Sequence, residues 1–139
     1  MKFVLDSNIA IKWVLPESDS LRALSLRDDF LKQIHEFIAP DVFPVEVAHA
    51  LSKAERRGLV PHLESIVRLV DVLAVAPILH PHLPLLSRAM EISTHARIGV
   101  YDCLYVALAE KEGCELITAD ARLAAALPNY PIIDLAEWP

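Results

Sequence analysis

The chain has 139 residues, 54% of them hydrophobic, and a formal net charge of −6 from 13 Lys and Arg against 19 Asp and Glu. That length suits one domain over residues 1–139, and its short apolar runs, broken by charge, exclude a membrane-spanning helix. The acidic balance argues against a broad nucleic-acid-binding surface, which usually shows as a basic surplus.

The elements alternate from the start. Lys2 to Asp6 reads as a buried strand, and Met1-Lys2-Phe3 leading directly into it is unlike a signal peptide, so a soluble, cytoplasmic protein is expected. Ser7 or Asn8 can cap a short helix through Val14 that Pro16 stops. A second helix is predicted from Ser18 or Asp19 to Lys32, with Leu21, Leu24 and Leu31 on its apolar stripe, and Phe37-Ile38-Ala39 is a short strand before Pro40. Asp41 is placed to cap a helix through Arg57. Pro44 is tolerated there because first-turn N–H groups lack intrahelical partners, and Gly58 ends the helix. Phe43, Val47, Ala50 and Ala54 form its apolar face, with Glu46 one turn in beside them.

Pro61 to Leu73 is a further amphipathic helix, Pro77 to His80 a strand, and Leu83 to Ala96 a helix with a proline-blurred start; together they form a helical excursion that returns to the sheet. Val100 to Glu112 is a nearly continuous apolar helix ended by Gly113, followed by strand Glu115 to Thr118, helix Ala121 to Leu127 and a last strand, Pro131 to Ile133. Strand-then-helix repetition predicts a three-layer α/β/α fold with a central parallel sheet. Cys103 and Cys114 lie in or beside one apolar helix without metal-ligand spacing, and are read as a reduced, buried pair.

In such sheets the functional crevice lies at the carboxyl ends of the strands. Asp6 and Asp120 fall at two of these ends, while Glu46 and Asp102 sit early in apolar-faced helices. Each has a bland reading: Asp120 an N-cap, Asp102 a residue favoured by the helix dipole, Asp6 a turn residue, Glu46 a solvated side chain. The conjunction outweighs them. A helix apolar nearly all round must be buried, so the charge at its start faces solvent or a cleft. Acids gathered from four such places would repel strongly unless a cation lay between them.

Four stretches, Val4-Leu5-Asp6-Ser7-Asn8, Pro44 to Leu51 around Glu46, Tyr101 to Ala109 around Asp102, and Leu116-Ile117-Thr118-Ala119-Asp120, together resemble the PIN-domain family of metal-dependent nucleases. Within it the chain is most similar to the VapC-like toxins of toxin–antitoxin pairs; Trp13-Val14-Leu15-Pro16-Glu17 and the closing strand extend the likeness to nearly the whole chain. The resemblance implies a parallel sheet flanked by helices, an acidic quartet of Asp6, Glu46, Asp102 and Asp120, and polar supports at Asn8 and Thr118. It also implies RNA hydrolysis, a small antitoxin whose tail fills the groove near the acids, and a homodimer.

The residue types suit that chemistry. Hard oxygen donors without a His or Cys cluster select Mg²⁺ or Mn²⁺ over Zn²⁺, and such a cation activates water for in-line attack on a phosphodiester, so no protein nucleophile is required. Asp6 and Asp102 are expected as the principal metal ligands, with Glu46 and Asp120 coordinating through water or orienting it.

The six histidines show no ligand spacing and read mostly as surface residues, although His49 follows Glu46 by one turn. Lys12, Arg97 and Arg122 lie near the motif segments, where they could meet RNA phosphate or simply be solvated. Rival readings remain. A phosphatase forming an aspartyl-phosphate would use a second acid two residues after the first, where this chain has Asn8. A receiver-like signalling module would share the acidic pocket, and acetyl phosphate labelling against metal-dependent RNA cleavage separates it. A catalytically silent PIN-like binding module would instead bind a partner insensitively to chelator.

Overall fold

In the computed structural model, which describes residues Met1–Pro139, every strand pairs in parallel. The chain runs β1 (Lys2–Leu5), α1 (Ser7–Val14), α2 (Ser20–Leu31), β2 (Glu36–Pro40), α3 (Phe43–Arg56), α4 (Glu64–Leu73), β3 (Ile78–His80), α5 (Leu86–Ala96), α6 (Val100–Glu112), β4 (Glu115–Thr118), α7 (Ala121–Ala126) and β5 (Ile132–Asp134). The five strands lie in the order β3-β2-β1-β4-β5, flanked by seven helices.

This order has one consequence that matters for function. From β1 the chain builds outward through β2 and β3, then crosses back to place β4 on the other side of β1. Connections therefore diverge between β1 and β4, leaving a crevice beyond their carboxyl ends. Leu5 stands in register with Ile117, and the Asp6 N–H donates to the Ile117 carbonyl at 3.0 Å, so Asp6 and Thr118 emerge side by side.

A cluster of 30 buried hydrophobic residues fills the space around the sheet. Phe3, Val4 and Leu5 of β1 and Leu116 and Ile117 of β4 are all buried, as a central parallel strand covered on both faces must be. Helix α6 is buried without a break from Cys103 to Ala109, the signature of a helix inside the fold rather than on it.

Several sequence expectations shift. Asp6 itself caps α1, its carboxylate accepting from the Asn8 N–H, in place of Ser7 or Asn8. Asp41 does not cap α3: its carboxylate accepts instead from the His82 N–H at 3.1 Å and lies 2.7 Å from His82 Nδ1. Helix α4 starts at Glu64 rather than Pro61, after Leu63 takes a left-handed conformation. In α2 the expected stripe fails at both ends. Leu21 and Leu31 are exposed, and Ala23 and Leu26 are the residues buried, because the face turned inward is the one that also carries Phe30 against the core. Cys103 is buried but Cys114 only half-buried, and both are free thiols. His35 is half-buried, its ring packed edge-on against Phe3 and Trp138.

Candidate active site

Asp6 stands between β1 and α1 as the cap of that helix, a position that buries it at the carboxyl end of the strand. Its carboxylate is held from two sides. Thr118 Oγ1 donates to Oδ2 at 2.8 Å, and the Asn8 N–H donates to Oδ1 at 3.4 Å. Thr118 is itself saturated: its oxygen accepts from Asn8 Nδ2 at 3.2 Å and from the Asp120 N–H at 3.1 Å. A hydroxyl has one proton and two lone pairs, so with both lone pairs engaged the proton is committed to Asp6. Asn8 closes the ring by accepting the Ala119 N–H on Oδ1 at 3.0 Å. The two strand ends are thus tied by side chains as well as by the sheet.

Glu46 arrives from α3 and Asp102 from α6, each in the first turn of its helix, where the exposed N–H groups favour negative charge. Glu46 Oε1 accepts from Tyr105 Oη at 2.5 Å. Tyr105 lies one turn after Asp102 on the buried helix α6, so a single helix presents both a carboxylate and the hydroxyl that orients another. Asp120, after β4, caps α7 by accepting from the N–H groups of Arg122 and Leu123 on one oxygen, Oδ1. The N-cap reading and the site reading coexist for this residue, because the cap engages only that one oxygen.

The structure brings the carboxylates into mutual electrostatic range at the crevice. Burial, with Asp102 and Glu46 adding repulsion, pushes the Asp6 carboxyl up to about 7 against the pull of the Thr118 hydrogen bond. Burial likewise raises Glu46, opposed by the Tyr105 hydrogen bond and reinforced by Asp102. Asp102 is raised by burial and then by Asp120. Asp102 is therefore the hub: its charge acts on Asp6 and Glu46, and it is itself acted on by Asp120. Burial and mutual repulsion disfavour these anions while hydroxyl donors on Asp6 and Glu46 favour them, a conflict that positive charge would relieve.

The donors are all oxygens, a set that suits a hard divalent cation. No three His, Cys, Asp or Glu side chains stand at the spacing of ligands on one ion. A cation here would thus take one or two carboxylates directly and complete its shell with water or phosphate oxygens, the habit of Mg²⁺. Two supports escaped the sequence reading. Tyr105 could have been found as the hydroxyl-bearing residue one turn beyond Asp102 in an otherwise aliphatic run, whereas Ser7, whose hydroxyl faces Asp6 Oδ1 at 3.5 Å, carries no such signal. Of the cations singled out, Lys12 and Arg122 line the cavity beside Asn8 and Asp120, and Lys12 is already paired with Glu17 at 3.5 Å. Arg97 instead ends α5 in a left-handed conformation.

Comparison with known proteins points the same way. The family model described as PIN domain matches residues 3–126. The chain is 33% identical over 130 residues to Ribonuclease VapC3 of Pyrobaculum aerophilum, covering 92% of this chain and 96% of that protein. It is 37% identical over 134 residues to Ribonuclease VapC12 of Mycobacterium tuberculosis, covering 95% and 97%. In three dimensions it superposes with a TM-score of 0.68 on a chain of VapBC2 from Rickettsia felis, solved bound to a DNA fragment from their promoter, at 18% identity and covering 96% of this chain and 98% of that one.

Proposed function

The chain belongs to the PIN domain family, and from its kinship with VapC ribonucleases we propose that it is a metal-dependent endoribonuclease serving as the toxin of a toxin–antitoxin pair, with residues 1–139 as one nuclease domain. The observation that carries the reading is the buried Asp6, hydrogen-bonded by Thr118 and within electrostatic range of Asp102 and Glu46 at the β1/β4 divergence.

We assign Asp6 and Asp102 as the direct ligands of Mg²⁺, with Mn²⁺ able to replace it, and Glu46 and Asp120 as carboxylates acting through water. When bound, the cation supplies Lewis-acid activation of water and charge neutralisation at the phosphate. The chain's own residues do the rest. Thr118 and Asn8 fix the Asp6 carboxylate in one orientation; Tyr105 holds Glu46 through one oxygen, in position to orient or deprotonate a water. Asp120, with one oxygen on the α7 cap, has the second available at the crevice.

A protein antitoxin is the expected partner, restraining the enzyme by an Arg or Lys that reaches the carboxylates. A homodimer is supported by the apolar side chains Leu63, Ile66, Val67 and Val70, which α4 leaves exposed. No helix is long and apolar enough to cross a membrane.

The test is cleavage-site mapping on total RNA with purified, partner-free protein in Mg²⁺, Mn²⁺ and chelator. Discrete cuts that vanish with chelator support the reading; RNA left intact under all metal conditions would refute it.

A further inference from the structure

Two concavities meet beside Glu46 and Asp120. One is lined by Asn8 and Asp120 together with Lys53, Arg57 and Arg122. The other, of about 750 Å³, is lined by Glu46, His49, Asp41, His82 and Tyr101. Ile11 and Ala50 line both, so the two are halves of one trench across the α1–α3 junction, with acids of the candidate site on each side.

The halves differ in chemistry. In the first, Lys53, Arg57 and Arg122 are exposed and form no ion pair, whereas Lys12 in the same lining is held by Glu17. On a chain of net charge −6, three uncommitted cations in one cavity make a local anion-attracting wall. The second half has no Lys or Arg in its lining. It offers instead Tyr101, 58% exposed and the only aromatic among the large apolar side chains left in solvent, beside Val42 and Val45 and a polar rim where Asp41 is fixed against His82. Burying that ring against apolar neighbours would have been favourable, yet the fold holds it out next to Asp102.

We propose that this trench binds single-stranded RNA in a fixed direction, an unstacked base lying on Tyr101 in the Glu46 half and the phosphates beyond the scissile bond lying along Lys53, Arg57 and Arg122 in the Asp120 half. The proposal rests on the ribonuclease reading above and extends it to how substrate is held. A polymer that alternates flat bases with phosphates satisfies both halves at once; an acidic peptide satisfies only the cationic one. Bases must be splayed from a stack to meet an aromatic side chain, so duplex RNA is excluded.

The experiment measures fluorescence anisotropy of a fluorescein-labelled oligoadenosine octamer on full-length protein carrying Asp6→Asn to prevent cutting, across a salt series, with circular dichroism confirming each variant folded. Tyr101→Ala is expected to weaken binding about tenfold and Tyr101→Phe to leave it unchanged, as loss and retention of one base–aromatic stack require. An abasic octamer series should show one position where removing the base costs the parent about as much and costs Tyr101→Ala nothing further. Lys53→Gln, Arg57→Gln and Arg122→Gln should each lower the slope of log affinity against log salt by about 0.7. Unchanged RNA binding in Tyr101→Ala and in the three Gln variants overturns the trench, whether or not they lose affinity for an antitoxin, and leaves the nuclease reading standing. The expected binding pattern in a wild-type protein that cuts no RNA keeps the trench and removes the nuclease reading.

Discussion

Tyr105 Oη donates to Glu46 Oε1 at 2.5 Å, joining two residues 59 positions apart and fixing the α3 carboxylate from the buried helix that also carries Asp102. The bond stabilises the ionised form of Glu46 against burial and against repulsion from Asp102.

Tyr105→Phe removes that donor while keeping the ring that packs in the core. The Glu46 carboxyl then rises further, so the acid limb of the pH–rate profile for RNA cleavage moves to higher pH. Activity at neutral pH falls by about 10- to 100-fold, the usual cost of losing an orienting partner at a metal site. A profile that keeps its acid limb in place would show that Glu46 does not act as an ionised group in the reaction.

Thr118→Val replaces a buried hydroxyl by a methyl of the same shape. It strips Asp6 Oδ2 of its donor and leaves the Asp120 N–H and Asn8 Nδ2 without their acceptor. Chemical denaturation should report a loss of about 1–3 kcal/mol. Thr118→Ser, which keeps the oxygen, should recover most of it.

Asp6→Asn and Asp102→Asn abolish metal-dependent cleavage with the fold retained. Asp6→Asn also raises the melting temperature of metal-free protein at pH 8, because an amide costs less to bury than an anion and can still accept from Thr118. Retained cleavage in either variant would contradict its assignment as a ligand.

The Asp6 carboxyl is raised in the fold to about 7 from an ordinary value of 3.8, so the protonated form is the one the metal-free fold prefers. Its contribution is full below the unfolded value and is lost as pH rises through about 7, a cost on the order of 4 kcal/mol by the top of that window. Metal-free stability should therefore decline from pH 5 to pH 8. Mg²⁺ binds only the anion, so its stabilising effect should be larger at pH 8 than at pH 6, with proton release on binding at the lower pH. Calorimetric titration in two buffers of different ionisation enthalpy measures that release; its absence would place the metal away from Asp6.

The sequence by itself determined the layered parallel fold and the strand ends that carry Asp6 and Asp120, because both follow from local patterns: apolar runs of strand length, and strand-then-helix alternation. It also marked Asp102, since a helix apolar from Cys103 to Ala109 must be buried and its first-turn acid must face solvent or a cleft. Local pattern could not reveal which residue caps α1, which face of α2 turns inward, or that Asp41 turns to His82 rather than to its own helix. Nor could it show the Thr118–Asp6 bond across 112 positions, the Tyr105 hold on Glu46, or the meeting of Lys53 from α3 and Arg57 just after it with Arg122 from α7. A hydrogen bond or a shared cavity depends on where whole elements come to rest against one another. That placement is fixed by the packing of the entire core rather than by any stretch of chain short enough to read on its own.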